Sequence, residues 1–209
     1  AKNEGLTFDQ RLAKRVLDLV VSIIALVITS PVMLVIAIAI KAYDGGPVFF
    51  VQDRCTINGK VFKIHKFRSM IENAEKDGEV IPATDDDARI TPVGKIIRKT
   101  RLDELPQFFD ILIGNMSVVG PRPERVEHVE KYVEEVPEFT YRMKVKGGLT
   151  GYAQIYGKYN TTPLDKLKLD LMYIESYSVL LDMKLIFLTL KIMFTKESTE
   201  GVDEGQNHA

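Results

Sequence analysis

From Leu19 to Ile40 the chain runs for 22 residues without a charge, LVVSIIALVITSPVMLVIAIAI. A bilayer-spanning helix needs about 20 apolar residues, so this run restricts the possible folds more than any other feature. Ser30 and Pro31 interrupt it at the centre, where proline lacks the N–H that a helix interior uses and crowds the turn before it. Two readings are open: a bent helix that crosses the membrane, and a re-entrant hairpin that enters and leaves by one face with its break covered by protein. Arg11, Lys14 and Arg15 precede the run and Lys41 follows it. Cations at both ends favour the hairpin, because the bias of positive charge toward the cytoplasm then holds for both flanks. On that reading Asp18 and Lys41 both reach water on the same side. The run is too long for the apolar region of a secretory signal, and no small-x-small cleavage pattern follows it.

The full 209 residues suit one domain of moderate size with its own core. With 28 basic and 29 acidic residues the net charge is -1, and no nucleic-acid partner is expected. Cys55 is the only cysteine, which excludes an internal disulfide and disfavours a thiolate metal site. His65, His128 and His208 are scattered, so a zinc centre is not expected, whereas a carboxylate-bound magnesium ion needs neither residue type.

Gly45-Gly46-Pro47 marks a turn, and Asn58-Gly59 between two runs rich in Val, Ile and Phe predicts an antiparallel β-hairpin. On its second strand Lys66 and Arg68 are two apart and share a face. That face is either simply solvated or half of an anion site. Residues 71–87 are polar and acid-rich and read as a surface excursion.

In RKTRLDELPQFFD, Asp103 and Glu104 stand side by side under Arg98, Lys99 and Arg101. Helix-surface pairs prefer spacings of three or four, so an adjacent acid pair is an uneconomical decoration. With Pro106 tolerated in a first turn, a helix starting near Asp103 would make it an N-cap and Glu104 a first-turn acid. The same place suits a phosphate brought by Arg98 and Arg101. Downstream, Gly-Pro-Arg-Pro presents Arg122 on a rigid loop, a feature of an anion clamp and equally of a surface turn. VKGGLTGYAQIYGKYN brings glycines together with Thr150, Gln154 and Asn160, bracketed by Lys146 and Lys158. No GxGxxG or Walker pattern is present. The last third reads as two helices. In the second, Lys184 and Lys191 lie seven apart on one face, fitting either an interfacial helix or one packed on the core.

Taken in order, KRVLDL entering an apolar run broken by Ser-Pro, then KIHKFRSM, RLDELPQ, MSVVGPRP, GLTGYAQIYG and LLDMKL resemble the bacterial sugar transferase domain of the monotopic polyprenol-phosphate phosphoglycosyl transferases. The resemblance covers about Arg11 to Val202. It implies transfer of a sugar-1-phosphate from a UDP-sugar to undecaprenyl phosphate with release of UMP, the first membrane step of capsule, exopolysaccharide or O-antigen assembly. It also implies Asp103 as nucleophile through a covalent aspartyl-phosphosugar, and Glu104 as the residue associated with Mg²⁺. Lys66, Arg68, Arg98 and Arg122 fall where the family places basic residues around substrate phosphates. Asp182 matches a functionally important aspartate, Gln154 and Lys158 lie in the glycine-rich motif, and Ser30-Pro31 matches the break of a re-entrant helix. Two departures stand out: Gly147 replaces a common proline, which implies a looser loop, and Lys158 replaces a common arginine, which removes bidentate phosphate recognition. The same transfer without a covalent intermediate, and a non-catalytic membrane scaffold, are the alternatives.

The expected fold is therefore a mixed, irregular, helix-rich α/β protein. Residues 1–10 are a linker or extension, 11–44 a re-entrant membrane helical hairpin, 45–202 a cytosolic catalytic domain with a small antiparallel β-hairpin and interfacial amphipathic helices, and 203–209 a polar tail. Such a protein is monotopic in the bacterial cytoplasmic membrane, and the absent initiator methionine suggests part of a longer chain.

Overall fold

The computed structural model describes residues 6–72, 74, 87–157 and 161–194. Lys158, most of the acid-rich 71–87 segment and the polar tail lie outside them.

The molecule is helix-rich, with seven α-helices and two small sheets among the described residues. Helix α1 spans Phe8–Asp44. Thr7 and Gln10 cap it reciprocally, the Gln10 side chain accepting from the Thr7 N–H at 2.9 Å and Thr7 Oγ1 accepting from the Gln10 N–H at 3.4 Å. Gly45, at φ 73°, ends it in the left-handed conformation. The helix is assigned continuously through Pro31. Proline leaves the Val27 carbonyl without its usual partner, and Ser30 Oγ donates to that carbonyl at 2.9 Å. The Ser-Pro pair is thus a matched device, in which one residue removes a donor and its neighbour supplies one.

The sides of α1 are inverted relative to a soluble helix. Lys14, Asp18 and Ser22 are buried at four-residue spacing, while Val20, Ile23, Ile24, Val27, Ile28 and Val35 are exposed. The expectation that Asp18 reaches water is overturned. At 2 % exposure its Oδ1 accepts from Ser117 Oγ and the Val118 N–H, both at 2.8 Å. A domain face lined with unpaired donors outweighed the pull of solvent. Farther along, Met33, Ile36 and Ile40 bury against Phe67 and Ile97.

Strands β1 (Phe49–Cys55) and β2 (Val61–Phe67) form the antiparallel hairpin. Asn58 and Gly59 take φ 56° and 71°, and the Lys60 N–H donates to the Ile57 carbonyl, as a type I′ turn requires. After α2 (Pro92–Lys99) a 3-10 turn at Leu102–Glu104 leads to α3 (Gln107–Ile113). Strand β3 (Ser117–Val119) pairs in parallel with β4 (Gly148–Thr150), a sheet the sequence did not suggest. Between them lie α4 (Val126–Glu135) and a 3-10 segment, Pro137–Lys144. Helices α5 (Tyr152–Tyr156), α6 (Pro163–Glu175) and α7 (Val179–Phe194) complete the chain.

Two apolar clusters share β2. Phe62 and Ile64 pack with Ile111, Met116, Val119, Tyr173 and Leu185, whereas Phe67 joins the α1 cluster together with Leu102 and Leu105. The residues on either side of Asp103-Glu104 are therefore seated on the second half of α1.

Candidate active site

Arg101 adopts φ 58°, a left-handed conformation that costs a non-glycine residue about 1–2 kcal/mol and reverses the chain after α2. The next three residues coil tightly, so Leu102 and Leu105 turn inward while Glu104 reaches Lys66 of the hairpin and Arg122 of the Gly-Pro-Arg-Pro loop. A helix does not begin at Asp103. Pro106 sits just before α3, and Asp103 makes no capping bond, so the N-cap reading is corrected.

Glu104 is tied from two directions. Its Oε1 accepts from Lys66 Nζ of β2 at 2.8 Å and from an Arg122 guanidinium nitrogen at 2.5 Å. Burial pushes its carboxyl up, but Arg122 and Lys66 outweigh that and hold it well below the usual carboxylate range. The environment of Asp103 has the opposite effect. Burial raises its carboxyl to about 6, against the pull of Lys66, with the negative Glu104 adding to the rise and Arg101 and Arg98 opposing it. Its Oδ1 is buried with no hydrogen-bond partner. Two adjacent carboxylates are thus driven apart, one neutralised by cations and one left with a free, basic oxygen.

Further unpaired polar atoms lie close in the chain or in the field. Gln107, one turn after Asp103 and 1 % exposed, has a free Nε2. The free Nε of Arg54 belongs to a guanidinium lowered to about 10, chiefly by burial and then by Arg122. Buried unpaired donors are uncommon in native proteins, and of these two one is near the acidic pair in the chain and the other is within the field of Glu104 and Arg122. Motif reading missed Gln107 and Arg54. The glutamine was inside the quoted LDELPQ, but its burial is a tertiary fact.

The structure brings together Asp103, Glu104, Lys66 and Arg122, with Arg98 in electrostatic range on α2. Arg68, expected beside Lys66, turns to Asp44 at the end of α1 and keeps Nε and one terminal nitrogen unpaired at 5 % exposure. Gln154, on α5, has both side-chain polar atoms unpaired. Its position is near Gly120, because a Cβ on Gly151 would lie 2.3 Å from the Gly120 carbonyl and 3.0 Å from Gln154 Oε1. Asp182 is elsewhere: at 0 % exposure it accepts from Lys14 at 2.7 Å and from the Tyr173 hydroxyl at 2.8 Å, joining α1 to α6 and α7. Gly147 is not loose. Its N–H donates to Thr56 Oγ1 at 3.0 Å, a bond that proline cannot make, and its carbonyl accepts from Ser117.

Comparison with known proteins places the chain in a family. The model of the bacterial sugar transferase family matches residues 9–196. A UDP-glucose:undecaprenyl-phosphate glucose-1-phosphate transferase of Klebsiella pneumoniae is 48 % identical over 190 residues, covering 88 % of this chain and 41 % of that protein. A UDP-N-acetylgalactosamine-undecaprenyl-phosphate N-acetylgalactosaminephosphotransferase of Aeromonas hydrophila is 42 % identical over 185 residues, covering 87 % and 44 %. The uncharacterized sugar transferase EpsL of Bacillus subtilis is 36 % identical over 187 residues, covering 90 % of each chain. The chain thus spans about two fifths of the length of the first two relatives. With the match running from the start of α1 through the end of α7, the chain belongs to the bacterial sugar transferase family.

Proposed function

We propose that this chain transfers a sugar-1-phosphate from a UDP-sugar to undecaprenyl phosphate, releasing UMP, with Asp103 as the nucleophile. The observation that carries the reading is the buried, unpaired Oδ1 of Asp103 beside a Glu104 already neutralised by Lys66 and Arg122. Asp103 attacks the sugar-bearing phosphorus, a P–O bond to the carboxylate forms, and the bridging oxygen departs with UMP. An oxygen of undecaprenyl phosphate then attacks the same phosphorus and frees Asp103. A carboxyl near 6 is largely ionised at neutral pH and more basic than an ordinary aspartate, as a nucleophile needs. Lys66, Arg98 and Arg122 supply the positive field that lets one anion approach another.

Among the described residues no group of three Asp, Glu, His or Cys side chains forms a ready metal cage. The Glu104 carboxylate, next to the Asp103 nucleophile, nevertheless fits Mg²⁺, an ion held by one or two carboxylates where a phosphate substrate supplies the rest. Glu104 would hold it, and when bound it would offset charge on the diphosphate.

The same reading makes α1 a re-entrant, monotopic anchor in the bacterial inner membrane, with the catalytic face toward the cytoplasm. By length and composition α1 is the one described helix able to cross a membrane. Its two halves, however, both pack on one domain, through Lys14 and Asp18 at one end and Met33, Ile36 and Ile40 at the other. A straight crossing would drag that polar domain into hydrocarbon. Undecaprenyl phosphate, confined to the interface, then meets Asp103 where Leu102 and Leu105 rest on α1.

The test is UMP release from a panel of UDP-sugars by purified chain with undecaprenyl phosphate. Release that needs Mg²⁺, stops with a chelator and vanishes in Asp103→Asn is expected. Release undiminished in Asp103→Asn would remove this residue from the chemistry.

A further inference from the structure

The Gly-Pro-Arg-Pro loop contains two residues without an N–H, so its backbone must be held through its carbonyls. Four in a row are taken. Pro121 O accepts from the Gly148 N–H, Arg122 O from an Arg142 terminal nitrogen at 2.9 Å, Pro123 O from Arg54 at 3.1 Å, and Glu124 O from the Cys55 N–H. Of these four donors, Arg142 is the one that grips the residue whose side chain reaches Glu104.

Arg142 is itself fixed on all sides. At 3 % exposure, its Nε donates to Asp170 Oδ2 of α6 at 2.7 Å. Its guanidinium lies 4.9 Å from the centre of the buried Phe139 ring. Its remaining terminal nitrogen is 3.8 Å from Glu124 Oε1, which also accepts from Lys166 at 2.8 Å. Asp170 is 1 % exposed. A buried pair of this kind is weak support for stability, because desolvation of both charges cancels most of their attraction. The planar fork gives something a point charge does not: one edge is fixed by Asp170 while another donor holds a chosen carbonyl.

We infer that Arg142, oriented by Asp170, is a positioning residue that sets Arg122 against Glu104 and against the diphosphate of the donor. The inference rests on the transfer reading for its ligand. Lysine at position 142 keeps the charge opposite Asp170 but cannot hold both partners. Arg142→Lys therefore loosens Arg122 without emptying the core. Misplacement of a substrate-binding cation by about 1 Å lowers turnover by up to about 100-fold.

The experiment is a double-variant cycle on the full chain, crossing Arg142→Lys with Arg122→Ala. Two quantities are read: UDP affinity by calorimetry, and kcat and KM for UMP release. Arg142→Lys alone is expected to weaken UDP binding and lower kcat/KM by about 10-fold or more, but to change either by less than about 2-fold once Arg122 is alanine. Equal losses in both backgrounds would mean that Arg142 acts on the fold generally, and would overturn the inference. If Arg142→Lys does not fold, Asp170→Asn enters the same cycle with the same expectations. Non-additive UDP binding without UMP release from any donor would refute the transfer reading and leave the positioning role standing. Failure of the unsubstituted chain to bind UDP would overturn the positioning role.

Discussion

Asp103 is held where its charge is costly and its oxygen is free, and both consequences are measurable. A carboxyl at about 6 when folded and about 3.9 when unfolded binds protons more tightly in the folded chain. Ionisation of Asp103 therefore subtracts stability as pH rises from about 4 through about 6. Asp103→Asn removes that penalty and is expected to stabilise the chain at pH 7 by about 1–2 kcal/mol while abolishing turnover. Denaturant unfolding in detergent checks this, and a loss of stability would mean the carboxylate is not strained. Turnover of the unsubstituted chain should fall about tenfold per pH unit below about 6. Glu104 has the opposite sign: held low by Arg122 and Lys66 against burial, it adds stability above the usual carboxylate range and loses it on acidification. Asp103, Glu104, Lys66 and Arg122 were legible because each stands in a short motif of unusual composition. Gln107, Arg54 and Arg142 were not, since burial and orphaned donors arise only when distant segments meet.

At the scale of elements, α1 shows what periodicity conceals. In a run of apolar residues flanked by charges, Lys14 and Asp18 read as water-seeking flanks. Folded, they are the inward face, because the domain offers Asp182, Tyr173, Ser117 and the Val118 N–H. The Lys14–Asp182 pair is a latch between α1 and α7. Removing one partner, as in Lys14→Met, strands a buried charge and should destabilise by about 3–5 kcal/mol. Lys14→Met combined with Asp182→Leu should recover much of that loss. A double variant no better than the single one, by thermal unfolding, would refute the latch. The β1–β2 hairpin was legible from Asn58-Gly59, since two left-handed residues in succession admit few sequences. The β3–β4 sheet was not, because three-residue strands paired across about 30 positions leave no periodic trace.

For the whole molecule, the decisive feature is that both halves of the apolar helix pack on the same domain. With the buried Cys55 replaced by serine, cysteines placed at Phe8 and Tyr43, both exposed, should react from the same side of sealed inverted vesicles. Reaction from opposite sides would make α1 a spanning helix. Pro31→Ala restores the donor to Val27 and removes the interruption at the centre of α1, and is expected to shift the Phe8 label toward the far side and lower activity. The overall class, helix-rich with one small hairpin and one long apolar N-terminal helix, followed from length, the uncharged run and the turn. How the two apolar clusters divide β2 between them, seating Asp103 on α1, depends on packing that no single segment encodes.

The central claim is that Asp103 carries the phosphosugar, and intact-mass spectrometry tests it most directly. The chain is incubated with Mg²⁺ and its UDP-sugar donor in the absence of undecaprenyl phosphate, then quenched and mapped. The account predicts a mass increase equal to one sugar phosphate, located on Asp103, absent in Asp103→Asn and discharged when undecaprenyl phosphate is added. A chain that releases UMP in single turnovers with no adduct on Asp103 would contradict it.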